Sequence, residues 1–177
     1  MTKNRPEPGD YAPYAVQYVV LVPTGDVLEA LATQLKQTVT LFSGHSERDG
    51  NFRYAPDKWS VKEVIGHIAD TERIFAYRAL RISRGDQTPL SGFEQDDYVR
   101  EANFGARKLA DLVEEYADVR QATLSLFRSL DERAWQRRGI ASNNAVTVLA
   151  LAYLIAGHEL HHRKILDERY FPSIPRA

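Results

Sequence analysis

Apolar positions in this chain recur mostly at helical rather than strand spacing, and four stretches carry the signal. Leu28, Leu31, Leu35 and Phe42 fall near a 3.6-residue period, which predicts a first helix from about Asp26 to Phe42. Pro23-Thr24-Gly25-Asp26 is its start signal, and Ser43-Gly44 its stop. A second helix is predicted from Ser60, where Ser60 and Glu63 have capping-box spacing and Trp59 and Val64 are placed as a hydrophobic staple. Val61, Val64, Ile65, Ile68, Phe75 and Leu80 give it a buried side, and Gly85-Asp86 ends it. The third and clearest stripe, Leu109, Leu112, Val113, Tyr116, Val119, Thr123, Leu126, Phe127 and Leu130, predicts a core-facing helix over roughly Gly105 to Leu130. The fourth is expected to begin at Ala145-Val146-Thr147, capped by Asn143 or Asn144, and to run to about Glu168. Its first half is apolar all round, so it should be covered on more than one side, by neighbouring helices or a second subunit.

Between the second and third helices lies a long connection, Asp86 to Phe104, of the kind that carries functional or packing segments, with one short helix expected near Asp96 to Glu101. Apart from a weak stretch at Val16 to Val22, nothing alternates with period two. The fold class expected is therefore all-α, a four-helix bundle. With 177 residues the chain suits a single domain over 1–177, with residues 1–22 as an N-terminal arm and 171–177 as a tail.

Composition narrows the function classes. A formal net charge of -1 supplies no field for nucleic acid or an anionic membrane, and the basic cluster Arg133 to Arg138 is interrupted by Trp135. No nucleic-acid or membrane partner is expected. The absence of cysteine removes disulfides, thiolate ligands and a cysteine nucleophile, and suits a cytoplasmic protein. MTKNRPEPGDYAP is not patterned as a secretory signal, and the apolar run at 145–157 is too short to span a bilayer.

Three of the five histidines sit in GHELHHRKIL at 157–166. His158 and His162, four apart on a helix, can aim their rings at one point, and paired imidazoles suit a transition metal such as zinc, nickel or iron. The competing reading is two histidines complementing the dipole at a helix C-terminus. His158-Glu159-Leu160-His161-His162 also matches the H-E-x-x-H pattern of zinc peptidases. That pattern needs a further ligand downstream, and only Asp167 and Glu168 on or just past the same helix are available. His161 leaves the common face. Upstream, His67 in IGHIAD is the candidate third ligand, with a core histidine bonded to a neighbour as the alternative.

Lys58 to Asp70 (KWSVKEVIGHIAD), Leu90 to Tyr98 (LSGFEQDDY) and His158 to Ile165 together resemble the DinB/YfiT-like superfamily of four-helix bundles, over most of the chain from Pro23 to Tyr170. The resemblance implies a divalent metal held by three histidines, which map onto His67, His158 and His162. It also implies a homodimer formed through the helices. For activity it implies either a metal-dependent S-transferase, which activates a low-molecular-weight thiol against a small-molecule substrate, or a metal-dependent hydrolase; a bundle that only binds metal or ligand is the third possibility. Three protein ligands would leave a position open, as catalytic rather than structural sites do. Candidate catalytic residues beside the ligands are Glu159, which otherwise pairs with a neighbour, and Asp70, which could orient a ligand ring or else bridge to Arg73 or Lys62. Tyr98 and Tyr153 are candidates for the cavity wall, and Trp59 for packing.

Overall fold

Residues 5–174 are described by the computed structural model of the chain. Short helical turns come first, with α1 at Val16–Val19, followed by the long helix α2 at Val27–Ser43, which Asp26 caps by accepting from the Leu28 N–H at 2.7 Å. After α3 (Glu47–Gly50), α4 runs over Val61–Ser83 behind the expected capping box. Glu63 N–H donates to Ser60 Oγ at 3.2 Å and Ser60 N–H to Glu63 Oε2 at 2.6 Å, satisfying two amides that the first turn leaves orphaned. The long connection carries α5 (Gln95–Ala102), and α6 spans Leu109–Arg128.

After α7 (Glu132–Trp135) the expectation of helix only is corrected. Residues 145–147 do not open the last helix; they belong to a hairpin of β1 (Arg138–Ala141) and β2 (Asn144–Thr147), paired antiparallel with Gly139 opposite Val146. Its turn places Ser142 at φ 49° and Asn143 at φ 61°, the two left-handed residues of a two-residue hairpin turn. Leu90 from the long connection bridges to it, donating to Ile140 O and accepting from Ser142 N–H. Helix α8 therefore starts at Val148, capped by Thr147 rather than an asparagine, and ends at Ile165 in a wider turn over Leu166–Tyr170. The Val16–Val22 stretch is helical where α1 forms, not extended.

The four long helices α2, α4, α6 and α8 form the bundle. Helix α4 packs on α6 and α8, and α2 packs on the same two, so α2 and α4 stand diagonally despite being consecutive long helices. The all-round apolar part of α8 is covered within the chain. Residues Val148 to Glu159 are all buried, in part by the N-terminal arm, whose Ala15, Val19 and Val22 are buried in the same cluster. Of the expected C-terminal tail, Phe171–Ser173 forms one short turn, and its last residues lie outside those described. No helix among the described residues is long and apolar enough to cross a membrane.

Two apolar clusters divide the core. One gathers Val27, Leu31, Ile82, Phe127, Trp135 and the first half of α8; the other gathers Phe42, Val61 to Ala69, Leu109 to Tyr116, Leu166 and Tyr170. Around their junction each long helix contributes buried polar side chains: Gln34 and Thr38 from α2, His67, Thr71 and Glu72 from α4, Arg120 and Thr123 from α6, His158 and Glu159 from α8. Desolvating such groups costs free energy unless each finds a partner.

Candidate metal centre

His67 on α4 and His158 and His162 on α8 meet in the polar layer. The Nε2 atoms of His67 and His158 are 3.0 Å apart, those of His158 and His162 are 3.1 Å apart, and one ring nitrogen from each of the three lies within 4.8 Å of the others. His67 and His158 are buried and His162 is half-buried. Burial pushes the His67 ring down to about 4, and it holds His158 and His162 well below the usual histidine range with help from the neighbouring imidazoles. The three rings are thus neutral near pH 7, with lone pairs available as metal ligation requires.

Each of the two helices brings its histidine close to a second chain segment through a glycine. Gly66 and Gly157 directly precede His67 and His158. A Cβ on Gly66 would overlap the Phe104 ring, and one on Gly157 would overlap the Tyr18 backbone carbonyl. The N-terminal segment can therefore lie on α8 beside His158, where the Tyr18 ring stands edge-on at 5.6 Å from it. On another side Trp59 packs 4.7 Å from the His67 ring and stacks with His162 at 6.4 Å. Trp59 is thus a wall of the centre as well as a packing residue. Both Trp59 and His162 are part-exposed, so the centre is reachable from this side.

The other sequence candidates fall elsewhere. His161 turns away to pack on Tyr18 at 5.3 Å, and Glu168 is exposed beside Lys164. Asp70 is paired with Arg73 at 3.3 Å; the side chain next to the His67 Nδ1 is the Thr71 hydroxyl, at 3.4 Å, a neighbour that the carboxylate's greater salience in the sequence obscured. Glu159 is fully buried and turned toward α2 and α6. Its Oε1 accepts from Thr38 and its Oε2 from Arg120 Nη2 at 2.6 Å. Arg120 also holds Glu72 through two bonds of 2.8 Å and the Leu31 carbonyl at 3.1 Å. Both oxygens are thus committed to α2 and α6, an arrangement that speaks against the peptidase reading of its motif. Burial opposes the charge on Arg120, but the Glu72 and Glu159 carboxylates outweigh it and raise its pKa. Tyr153 is core, whereas Tyr98 is exposed on a surface groove. Arg120 and Glu72 escaped sequence reasoning because a charged residue in a helical stripe reads as a solvated face.

A pH dependence follows from the neutral histidines. Their folded pKa lies below the unfolded value of about 6.5, so between that pH and about 4, where burial holds His67, the unfolded chain binds more protons than the folded one. Stability present above pH 6.5 is then lost as pH falls, by up to about 1.4 kcal/mol per pH unit for each histidine. Metal-free protein is expected to show a falling Tm from pH 7 to pH 4.5, with a shallower fall in His67→Leu. Equal slopes in the two proteins contradict this assignment.

Comparison with known proteins agrees with the geometry at the level of family and fold. The DinB superfamily model matches residues 30–166. Among solved structures, YfiT from Bacillus subtilis, described as "a probable metal-dependent hydrolase with an unusual four-helix bundle topology", superposes with a TM-score of 0.68 at 16% identity, covering 94% of this chain and 91% of YfiT. The DinB-like protein YjoA from Bacillus subtilis gives a TM-score of 0.60 at 19% identity, covering 85% of this chain and 94% of YjoA. No curated protein matches the sequence.

Proposed function

The chain belongs to the DinB superfamily, and from that premise we propose that it is a metal-dependent enzyme acting on small molecules, with His67, His158 and His162 as the metal ligands. The observation that carries the proposal is the convergence of three neutral Nε2-bearing rings on one point. Nitrogen atoms at 3.0–3.1 Å need a proton or a cation between them; a ring N–H can bridge each contact, and one ion would serve all three rings at once. Ligand nitrogens about 2.0–2.1 Å from a tetrahedral ion stand roughly 3.3 Å apart; the His67–His158 and His158–His162 pairs are close to that, and all three nitrogens lie within 4.8 Å, so a small closing movement of the rings would seat a zinc-type ion, and nickel and iron favour the same imidazoles. When bound, such an ion supplies Lewis acidity to an oxygen or sulfur donor in the position the protein leaves open. Thr71 and Trp59 fix the His67 ring, and the buried Glu159–Arg120 pair one residue from His158 holds α8 in register against α2 and α6.

The first form of the proposal is transfer of a low-molecular-weight thiol to a small electrophile. A chain without cysteine offers no thiolate of its own to compete for the centre. The second form is hydrolysis, the reaction class proposed for YfiT, which shares the fold. The exposed Tyr14, Val16 and Val20 offer an apolar stretch for the helix-mediated dimer that the family resemblance implies.

Metal analysis of untagged protein tests the ligand set. Wild type is expected to retain about one ion per chain through gel filtration, and His67→Ala, His158→Ala and His162→Ala each to lose it, while Glu168→Ala keeps it. Retention by His67→Ala together with loss in Glu168→Ala would return the site to the α8 motif alone. Turnover of an electrophile panel with and without added thiol separates the two forms, since thiol-independent turnover sinks transfer.

A further inference from the structure

Beyond the histidine centre, α4 continues along one face through Thr71 and Phe75 to Arg78, at helical spacings of four, four and three from His67. Arg78 is only 6% exposed, yet no carboxylate among the described residues pairs with it. Its Nη2 donates to the Ser91 carbonyl at 2.8 Å and to Ser142 Oγ at 3.0 Å, and its Nε and Nη1 have no acceptor among those residues. Arg120, the other deeply buried arginine, is held by two carboxylates. A guanidinium is always charged and has five donors, so a buried one without a counter-ion is poised for an anion.

Arg78 lines a small, half-open cavity of about 50 Å³ whose other walls are largely apolar: Tyr18, Phe75, Ala145, Leu151 and Leu154 among them. The cavity shares two wall side chains with the centre, since Tyr18 and Phe75 also pack 5.6 and 6.4 Å from the His158 ring and stand between it and Arg78. Its polar corner is built by the two elements the helical pattern left least defined. The long connection brings Ser91, and the hairpin brings Ser142 in a left-handed conformation (φ 49°) unfavourable for a residue with a Cβ.

We propose that this cavity is the substrate's anion subsite, in which Arg78 binds the carboxylate of an elongated, apolar monocarboxylate whose reacting end lies toward the histidines. The proposal rests on the reading of the histidines as the reacting centre and adds the substrate class. Eleven residues separate His67 from Arg78, about 16 Å along a helix, so a molecule that touches both ends is elongated. The apolar walls fit a hydrocarbon or aryl body along Phe75. A phosphate, which seeks several cationic or amide donors, fits a corner with one guanidinium less well.

Calorimetric titration of the full chain, stripped of metal by chelation, with 4-phenylbutyrate and its neutral amide tests the subsite apart from the centre. The carboxylate is expected to bind at least about tenfold tighter than the amide, as a charge-assisted bond to a buried guanidinium implies. Arg78→Gln is expected to remove that preference, Ala145→Trp to abolish binding of both by filling the cavity, and His67→Ala to retain the preference. Equal affinities of wild type for the two probes overturn the proposal without any variant. So does a preference that survives Arg78→Gln, binding that survives Ala145→Trp, which would place the anion in the outer groove that Arg78 lines with Tyr77 and Phe93, or a preference lost in His67→Ala. A failure of the metal reading shows instead as metal retained by His67→Ala, with the probe preference intact.

Discussion

Replacing Arg120 with methionine is expected to destabilise the protein by about 3–5 kcal/mol, the largest effect of any single polar substitution in the bundle. Arg120 is fully buried and binds Glu72, Glu159 and the Leu31 carbonyl, so it ties α6 to α4, α8 and α2 together. Methionine fills similar volume but leaves two carboxylates facing each other in the core without a cation. The cost is then that of stranded charges and not of lost packing. Removing the charges together separates the two causes: Glu72→Leu/Arg120→Met/Glu159→Leu should recover most of the loss, because a satisfied apolar layer replaces a half-satisfied ionic one. Chemical denaturation of wild type, single and triple variants reads this directly. A single variant as stable as wild type would show that the network contributes nothing, and a triple variant less stable than the single would assign the effect to shape.

Gly157→Ala is expected to cost about 3 kcal/mol, at the upper end of overpacking penalties, and to loosen the N-terminal segment from α8. The new methyl group meets the carbonyl of Tyr18, and main chain cannot rotate aside. Gly66→Ala, one residue before the other buried histidine, meets the Phe104 ring instead. Phe104 is buried in the core beside α4, but a side chain can rotate where main chain cannot, so that variant should cost less, nearer 1–2 kcal/mol. Thermal unfolding ranks the pair, and protease cleavage near Tyr18 reports whether the segment has lifted. A larger loss for Gly66→Ala would mean that Phe104 is the more rigid neighbour and that the Tyr18 segment is free to move away.

Much of the bundle was legible because burial repeats with the helix. The period of Leu109 to Phe127, the start signal ending in Asp26 and the Ser60–Glu63 box act within a few residues, and all three stand where the pattern placed them. The hairpin was not legible. Its strands have four residues each, its turn uses Ser142-Asn143 in place of a glycine pair, and its apolar second strand runs without a break into the apolar α8. In a continuous apolar run, strand and helix share the same composition, and the bridge from Leu90 that holds the hairpin is a contact from fifty residues away. The candidate site divides in the same way. His158 and His162 are a local pair, legible at one helical turn, and His67 was singled out as a polar ring on a semi-apolar face.

By itself the sequence determined the four long helices, the Ser60–Glu63 capping box and the one-turn pair of His158 and His162, since these follow from periodicity and short-range hydrogen bonding. Only the tertiary structure decided which charges lie inside. It made Glu159 the partner of Arg120, placed Thr71 rather than Asp70 beside His67, and left Arg78 buried without a counter-ion among the described residues, on the wall of an apolar cavity. The physical reason is that a charge's role depends on which groups from distant parts of the chain surround it, and those neighbours exist only once the helices have packed.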